Sequence, residues 1–227
     1  MLGTIVNAVS IIAGSLLGLF LKKGIPERYK KTVMQALSLA IILIGIKSAL
    51  KTDDLLIVII SLALGSVIGE FVGIESGLEA LGRWIESRFS SESGSVAKGF
   101  VTASLVYCVG SMAIVGSFES GLTGNHQTLF AKSALDGISA IIFASSLGIG
   151  VLLSSVPVFL YQGVLTITAG LIKPFLIASV IAQMSATGGL LIAAIGINLL
   201  GIVKIRVGNM VPAIFIPLVY YLVRSFF

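Results

Sequence analysis

Long apolar runs, separated by short polar or charged breaks, dominate the chain. Most of these runs approach the roughly 20 residues that a helix needs to cross a bilayer. Eight crossings are predicted in this way, over Gly3–Leu21, Thr32–Leu50, Leu55–Val72, Gly99–Ser117, Leu129–Leu153, Pro157–Leu171, Gly189–Val203 and Val211–Val223. A shorter apolar stretch, Pro174–Met184, either dips into the membrane as a half-helix or lies at its surface. The pattern predicts an all-α, polytopic transmembrane helix bundle, with residues 1–227 forming a single membrane domain.

The segment from Ile74 to Phe89, IESGLEALGRWIESRF, has a different pattern. Its apolar residues recur at spacings of three and four, and charged residues occupy most of the remaining positions. Such a pattern is typical of an amphipathic helix that lies in the membrane interface. We expect Trp84 to lie at headgroup level and the polar residues after Phe89 to form a loop.

Composition supports a membrane protein and argues against other classes. Of the 227 residues, 56% are hydrophobic and only 11% are charged, whereas a soluble globular chain carries about 25% charged residues. The single cysteine, Cys108, excludes a disulfide scaffold, and the single histidine, His126, leaves no zinc cluster or familiar catalytic motif. We therefore expect no metal, no cofactor and no enzymatic activity. The net charge of +5 is better explained by membrane orientation than by nucleic-acid binding.

The basic residues predict which side of the membrane each loop occupies. With eight crossings, three basic loops fall on one side, and they contain Lys22, Lys23, Arg28, Lys30, Lys31, Arg83, Arg88, Lys98, Lys204 and Arg206. Because cytoplasmic loops carry an excess of lysine and arginine, we expect this side to be the cytoplasm. The prediction is a multi-pass protein of the bacterial plasma membrane, with a cytoplasmic amphipathic helix and both termini outside.

The two ends of the chain show a weak internal similarity. Gly45-Ile46-Lys47 in the second crossing corresponds to Gly196-Ile197-Asn198 in the seventh, and Asn7 in the first corresponds to Gln162 in the sixth. Equivalent crossings lie five apart and run in opposite directions, which defines an inverted three-helix repeat, a feature typical of transporters. The alternative is chance similarity between apolar helices. The predicted division is repeat one at 1–73, the interfacial helix and linker at 74–98, inserted helices at 99–155 and repeat two at 156–227.

The stretch from Cys108 to Gly137 combines five glycines with a cluster of polar residues. Irregular, glycine-rich backbone beside a crossing is tolerated where it lines a cavity or is packed inside protein. One interpretation is a re-entrant loop that contributes Ser111, Ser117 and Glu119 to a solute site. The alternative is an ordinary external loop whose glycines serve as turn residues.

Ionisable and amide side chains within apolar helices complete the candidate site. Lys132 and Asp136 lie four residues apart and therefore share one face of the fifth crossing. Charged side chains inside a membrane are costly and face a cavity or a partner, so the alternative is a local ion pair. Asn7, Gln162 and Asn198 could bind a solute through their carbonyl oxygens, or they could simply hydrogen-bond between helices.

Several segments resemble a bacterial membrane family of unknown function, the YdfK/YqgA-like proteins. The resemblance is carried by YCVGSMAIVGSFESGLTG, by KSALDGISAIIFASSLGIGV followed by PVFLYQG, by IGINLLGIVKIRVGNMVPA, and by GTIVNAVSIIAGSLLG and LALGSVIGE. Together these segments extend over nearly the whole chain. The resemblance implies a plasma-membrane protein of a kind sometimes described as a transporter, and it implies no substrate.

The leading functional hypothesis is a transporter or channel for a small polar or ionic solute. The predicted site residues are Asp136, Lys132, Ser111, Ser117, Glu119, Gln162, Asn7 and Asn198. The expected partners are the solute, the lipid bilayer and, as a further option, a second copy of the chain in a homo-oligomer. A non-transporting membrane scaffold or assembly partner is the alternative, and a membrane enzyme is the least favoured class. A polar cavity that reaches the middle of the bundle would distinguish a transporter from a solidly packed scaffold.

Overall fold

The computed structural model describes residues 1–22, 26–52, 54–89, 95–172 and 177–225. Its helices are α1 (Leu2–Lys22), α2 (Glu27–Ala49), α3 (Leu55–Val72), α4 (Ile74–Phe89), α5 (Ser95–Val109), α6 (Ser111–Leu122), α7 (Gln127–Leu147), α8 (Gly150–Leu153), α9 (Ser155–Ile172), α10 (Ala178–Leu200), α11 (Val207–Met210) and α12 (Ile216–Ser225). A 3-10 segment, Val211–Phe215, joins α11 to α12. The described residues contain no strand, so the predicted all-α class is confirmed.

Seven helical spans in the described residues are long and apolar enough to cross a membrane, and the bent pair α5 and α6 makes an eighth if it counts as one span. Gly99, near the start of α5, packs against Leu147 at the end of α7. Gly121, near the end of α6, packs against Thr166 in the second half of α9. Because α9 begins beside the end of α7, these contacts lie at opposite ends of the bundle. The pair therefore traverses the bundle, in agreement with about eight crossings.

A sharp bend at Gly110 corrects the prediction of one continuous helix over Gly99–Ser117. The axes of α5 and α6 differ in direction by 57°. The Gly110 backbone is extended, with φ −66° and ψ 142°, and α6 restarts at Ser111. Glycine followed by serine is a common site of helix kinks, because neither residue favours a continuous helix.

The predicted glycine-rich loop is also wrong. Ser111–Leu122 form the helix α6, and irregular backbone is confined to Gly110 and positions 123–126. Glycine weakens an isolated helix, but close packing of helices in a membrane favours small residues at the contact. A Cβ atom at Gly121 would collide with the Thr166 carbonyl oxygen of α9. The glycines in this stretch therefore serve helix packing more than loop flexibility.

The fifth predicted crossing ends earlier than the sequence suggests. It was expected to continue to Leu153, but α7 stops at Leu147. Gly148 then adopts φ 78°, a conformation that side chains other than glycine rarely tolerate. The chain turns there into α8, and α9 begins at Ser155. A single glycine between apolar residues gave too weak a signal to place this turn.

The stretch Pro174–Met184 is not a separate half-helix. Pro174 lies outside the described residues, and from Ala178 the chain forms one helix, α10, that continues to Leu200. In the sequence, the polar and small residues over 183–189 suggest that an apolar helix is interrupted there. In the fold α10 buries every one of them, so their polarity does not mark a helix end.

Helices α2 and α10 pack antiparallel through small residues at corresponding positions. A Cβ atom at Gly45 would lie 2.7 Å from the carbonyl oxygen of Gly189. A Cβ atom at Gly196 would lie 2.8 Å from the carbonyl oxygen of Ser38. The number of positions from Ser38 to Gly189 equals the number from Gly45 to Gly196. The contact of Gly45 on Gly189 therefore has an equivalent in the contact of Gly196 on Ser38, with the roles of the two helices exchanged.

The outer surface and the interior of the bundle differ in exposure. Phe20 at the end of α1 is 84% exposed and Phe71 near the end of α3 is 92% exposed. Large apolar side chains that face outward on membrane-spanning helices have lipid as their natural surroundings. Among the seven membrane-length spans of the described residues, α10 is the most enclosed. Of an 18-residue apolar stretch of this helix, 67% is buried inside the protein. The protein is therefore organised around α10, and α1 to α3 and α9 present apolar side chains outward.

The two ends of the bundle differ in charge. We use the name basic end for the end of the bundle where α3 and α10 finish and α4, α5 and α11 begin. Lys98 and Lys204 both line a cavity there. At the opposite end, Asp54 accepts a hydrogen bond from Gln183 at 3.3 Å. The predicted amphipathic helix is confirmed as α4, and it lies at the basic end. Outside the described part of the structure lie Lys23 and the side chains of Lys22, Lys30 and Arg88.

Candidate functional site

Asp136 lies at the centre of a buried polar cluster. Its two carboxylate oxygens accept hydrogen bonds from the Lys132 ammonium at 2.9 and 2.7 Å, and the Asn7 amide of α1 donates to it at 3.0 Å. Lys132 is 5% exposed and Asp136 is 6% exposed, so both groups are almost fully buried. The Lys132 nitrogen also lies 5.8 Å from the centre of the Tyr107 ring, within the range of a cation–π contact. The two charged residues share a helix face, as their spacing predicts, and a second helix joins them.

Glycines bring α1 close enough to α7 for this contact. A Cβ atom at Gly14 would collide with the Gly137 carbonyl oxygen, and a Cβ atom at Gly18 would collide with the Ile141 carbonyl oxygen. Successive glycines of α1 thus meet successive turns of α7, and the two helices run parallel. Small residues four apart are a common device for close helix packing in membranes. The close approach places Asn7 beside the buried ion pair.

Several buried polar atoms of α1, α6 and α9 have no hydrogen-bond partner among the described residues. Gln162 of α9 is fully buried, and neither its Nε2 nor its Oε1 is partnered. The same holds for the Asn7 Oδ1 and for the hydroxyl of Ser117 on α6. Because buried polar groups in proteins are nearly always hydrogen-bonded, each such exception needs a physical explanation.

Neighbouring contacts place Asn7 and Gln162 at the same level of the bundle. The hydroxyl oxygens of Thr4 and Thr166 lie 3.4 Å apart where α1 passes α9. The two helices run in opposite directions, because α1 is parallel to α7 and α9 returns from it. Asn7 follows Thr4 by three residues and Gln162 precedes Thr166 by four. Each amide therefore lies one turn deeper than the threonine contact, on the same face of its helix.

Ser117 reaches this level from a third helix. Gly121 of α6 packs on the Thr166 carbonyl, and Ser117 precedes it by one turn on the same face. Four helices thus direct polar side chains to one depth. We call this group the midbundle site, and its members are Asn7, Ser117, Lys132, Asp136 and Gln162.

Two of the remaining predicted site residues, Glu119 and Asn198, do not join the midbundle site. Glu119 lies nearer the opposite end of the bundle and accepts a hydrogen bond from the Thr128 hydroxyl at 2.6 Å. Asn198 lies at the basic end, where its amide makes two hydrogen bonds of 2.7 Å with the backbone of Ile205. Asn198 therefore holds the segment before α11 in place. The Ser111 side chain lies outside the described part of the structure.

A second polar cluster joins α3 and α4 to the start of the last span. Glu70 accepts hydrogen bonds from Arg206 at 2.6 Å and from the Asn209 amide nitrogen at 2.5 Å. The Asn209 Oδ1 accepts from the backbone N–H of Glu75 at 2.6 Å. In return, the Glu75 carboxylate accepts from the backbone N–H of Gly208 at 2.6 Å. These reciprocal contacts fix the start of α11 against the turn between α3 and α4.

Ion pairs extend this cluster along α4. Lys204 donates to Glu79 at 2.9 Å, and Arg83 lies 3.6 Å from the same carboxylate. The hydrogen bond from Lys204 lowers the pKa of Glu79 below its ordinary value. Burial raises the pKa of Glu75, and the hydrogen bond from Gly208 offsets part of that increase.

Sequence reasoning missed this second cluster. We call it the basic-end network, and its members are Glu70, Glu75, Glu79, Arg83, Lys204, Arg206 and Asn209. A usable signal was present, because acidic residues after the third crossing and basic residues after the seventh fall in segments predicted on the same side of the membrane. Asn209 gave no comparable signal, since its role depends on the backbone geometry around it.

Two cavities open at opposite ends of α10. The larger, of about 720 Å³, lies at the basic end between α4, α5 and α10, and Leu105 and Ile195 are among its walls. The smaller, of about 390 Å³, lies at the opposite end and includes Thr128 and Ser185. Thr128 precedes Lys132 by one helical turn, but no member of the midbundle site is among the residues that line either cavity. Within the described ranges, no three His, Cys, Asp or Glu side chains are grouped so as to hold a metal ion.

Comparison with known proteins gives a family and no activity. The family described as "Protein of unknown function (DUF554)" matches residues 2–222. The chain is 34% identical to the "Uncharacterized membrane protein YdfK" of Bacillus subtilis (strain 168), over an alignment of 233 residues that covers 100% of this chain and 98% of YdfK. It is also 34% identical to the "Uncharacterized protein YqgA" of Escherichia coli (strain K12), over 222 residues that cover 96% of this chain and 94% of YqgA. No solved structure matches the chain. The similarity expected from the sequence motifs is therefore confirmed, and the chain belongs to the DUF554 family.

Proposed function

We propose that this protein moves a small polar or ionic solute across the bacterial plasma membrane. The observation that carries the proposal is the midbundle site, a polar cluster inside an apolar bundle. A buried polar group that lacks a partner destabilises a protein by about 1–3 kcal/mol. A scaffold would gain stability by placing an apolar side chain at Gln162, whose amide has no partner among the described residues. A transported solute would supply the missing hydrogen bonds, and this accounts for polar residues at these buried positions.

In this proposal, the two cavities are the entrances through which solute approaches the site from the two ends of the bundle. Helix α10 lines the larger cavity through Ile195 and the smaller one through Ser185. Between them, Gly188 of α10 packs on Val109, directly before the bend at Gly110. Small residues and a helix break at this constriction are suited to a change in packing that opens one cavity while the other closes. Alternating access of this kind is the usual mechanism of secondary transporters.

An inverted repeat, with 1–73 related to 156–227, is part of the proposal. Under the predicted correspondence Gly45 is equivalent to Gly196 and Ile42 to Ala193. A Cβ atom at Gly45 would collide with the Ala193 nitrogen, and one at Gly196 would lie 3.0 Å from the Ile42 nitrogen. The equivalence of these contacts, and the arrival of the equivalent amides Asn7 and Gln162 at one level, support a two-fold axis through the bundle.

Orientation follows from the distribution of positive charge. The basic end carries Lys98, Lys204 and Arg206, and we propose that it faces the cytoplasm, with both termini outside. In a Cys108→Ala background, an impermeant maleimide added to intact cells should label Asn125→Cys in the turn after α6. It should not label Ser87→Cys on α4. The reverse labelling pattern would contradict the orientation.

Reconstitution tests the transport function. Purified protein in liposomes is first screened for thermal stabilisation by ions and metabolites, because a ligand that binds only the folded state raises its stability. Uptake of each stabilising compound is then measured. We expect Asp136→Asn to fold and to lose uptake. If the double variant Lys132→Met/Asp136→Leu folds and transports at the wild-type rate, the ion pair is structural. If no compound crosses, the scaffold alternative is favoured.

A further inference from the structure

The titratable side chains within the midbundle site sum to zero charge. They are Lys132 and Asp136, which bond to each other directly. Whether the shared proton lies on the amine or on the carboxylate, the pair contributes no net charge. The other members, Asn7, Ser117 and Gln162, are amides and a hydroxyl, which are uncharged.

The unpartnered atoms of the site include both acceptors and donors. The Asn7 Oδ1 and Gln162 Oε1 can only accept a hydrogen bond, whereas the Gln162 Nε2 can only donate. The Ser117 hydroxyl can do either. None of these atoms has a partner in the described part of the protein. A molecule that satisfies all of them must itself carry both donors and acceptors.

An ion fits this site poorly. A bare cation or a bare anion at these atoms would lie near both the Lys132 ammonium and the Asp136 carboxylate, so attraction to one charge is offset by repulsion from the other. Moving an unpaired ion into a low-dielectric interior is far more costly than moving a neutral polar molecule. A site of zero net charge offers nothing to offset that difference.

From this we infer that the solute is uncharged and small, and that it carries hydrogen-bond donors and acceptors together, as small amides and polyols do. The inference rests on the proposed transport function and narrows its substrate class. It assigns Gln162 and Asn7 the binding of the solute. It assigns the Lys132–Asp136 pair the orientation of Asn7, whose amide nitrogen donates to Asp136.

Flux measurements on the reconstituted protein test this assignment. Liposomes with and without protein are exposed to gradients of urea, acetamide and glycerol, and solute entry is followed by light scattering. In parallel, potassium and chloride fluxes are followed with ion-sensitive dyes. We expect at least one uncharged probe to enter at least tenfold faster with protein than without, and potassium and chloride to show no increase. Ion flux alone would overturn the inference and leave the transport function standing, whereas no flux of any probe would overturn both.

A matched pair of variants locates the site. Gln162→Leu removes the unpartnered amide, and Gln127→Leu makes the same change at an exposed position at the start of α7. We expect Gln162→Leu to fold and to lower entry of the uncharged probe at least tenfold, while Gln127→Leu stays within twofold of wild type. If a folded Gln162→Leu retains wild-type entry, or if both variants lose it equally, the assignment of Gln162 is wrong.

Discussion

The two polar clusters of this protein are built in different ways. In the basic-end network, Glu70, Glu75 and Asn209 share short reciprocal hydrogen bonds, and the ion-paired side chains of Glu70 and Arg206 are 57% and 65% exposed. In the midbundle site the charged pair is almost fully buried, and amide and hydroxyl atoms around it lack partners in the described residues. The first cluster is sufficiently explained by its contribution to structure. The second is not, and this difference identifies it as the functional candidate.

The contrast shows why buried charge alone is a weak indicator of function. An ion pair such as Lys132–Asp136 can be purely structural, because each partner compensates the other. The unpartnered amide of Gln162 is stronger evidence, since no contact in the described protein offsets its burial. Variants that each remove one contact separate the roles of the two clusters.

The largest effect is expected from breaking the buried ion pair. Asp136→Leu alone leaves the Lys132 ammonium buried without its partner, and we expect a loss of about 3–5 kcal/mol in the free energy of unfolding. The double variant Lys132→Met/Asp136→Leu should recover to within about 1 kcal/mol of wild type, since an apolar pair of similar size is tolerated. Denaturant unfolding in detergent measures both. Equal destabilisation of the single and double variants would show that the charge itself stabilises the fold.

A smaller effect is expected at the basic end. Asn209→Ala removes the acceptor for the Glu75 backbone N–H and the donor to Glu70. Leaving such groups unpartnered should lower the free energy of unfolding by about 1–3 kcal/mol. Solute entry, measured on the folded fraction, should stay within twofold of wild type. Loss of entry with unchanged stability would move the functional site to this network.

The opposite sign is expected for Gln162→Leu. Because the amide has no partner among the described residues, an apolar side chain of similar size should raise the free energy of unfolding by about 1 kcal/mol in the absence of solute. The control Gln127→Leu, at an exposed position, should change it by less than about 0.5 kcal/mol. A clear loss of stability in Gln162→Leu would show that the amide supports the fold.

The smallest effect concerns pH and the basic-end network. Burial raises the pKa of Glu75 in the folded state, so the folded protein binds this proton more tightly than the unfolded chain. The resulting stabilisation is complete below the ordinary pKa of glutamate, about 4.3, and is lost as the pH rises through the raised value. Glu75→Gln should flatten this decline in unfolding temperature as the pH rises above the ordinary glutamate value.

Glu79→Gln is the matched control for the pH measurement, because the pKa of Glu79 shifts in the other direction. Its pKa is lowered by Lys204. It therefore contributes stability that is present above the ordinary glutamate pKa and is lost as the pH falls through the lowered value. The two variants should change opposite sides of the pH profile. Identical profiles would contradict the roles given to these two carboxylates.

The architecture was largely predictable because a bilayer restricts the possible folds. Apolar runs of near-crossing length gave the spans, and the spacing of apolar residues gave α4 with the bounds Ile74–Phe89. The errors arose where glycine has two opposed roles. At Gly110 and Gly148 it ends a helix, whereas at Gly121 it permits two helices to pack closely. These roles depend on neighbouring helices, which a single sequence does not specify.

The site was predictable only in part, for a related reason. Spacing along one helix was sufficient to pair Lys132 with Asp136, since both lie on α7. Joining Asn7 to that pair requires the close approach of α1 and α7 at Gly14, a long-range contact. The lack of partners at Gln162 could not be inferred at all, because it is a property of the surrounding packing and not of the residue.

Transport requires that solute reaches the midbundle site, so the site cannot be a sealed part of the core. Cysteine accessibility tests it directly. In a Cys108→Ala background, Ser117→Cys is placed in the site, and Ser61→Cys provides a matched control, since Ser61 is an equally buried serine of α3 with an unpartnered hydroxyl in the described residues. The measurement is the rate at which a small, water-soluble thiosulfonate modifies each cysteine in the reconstituted, folded protein. We expect Ser117→Cys to react at least tenfold faster than Ser61→Cys, and the transported solute to slow this reaction. Equal, negligible reaction at both positions would show that the site is closed to water and does not bind a transported solute.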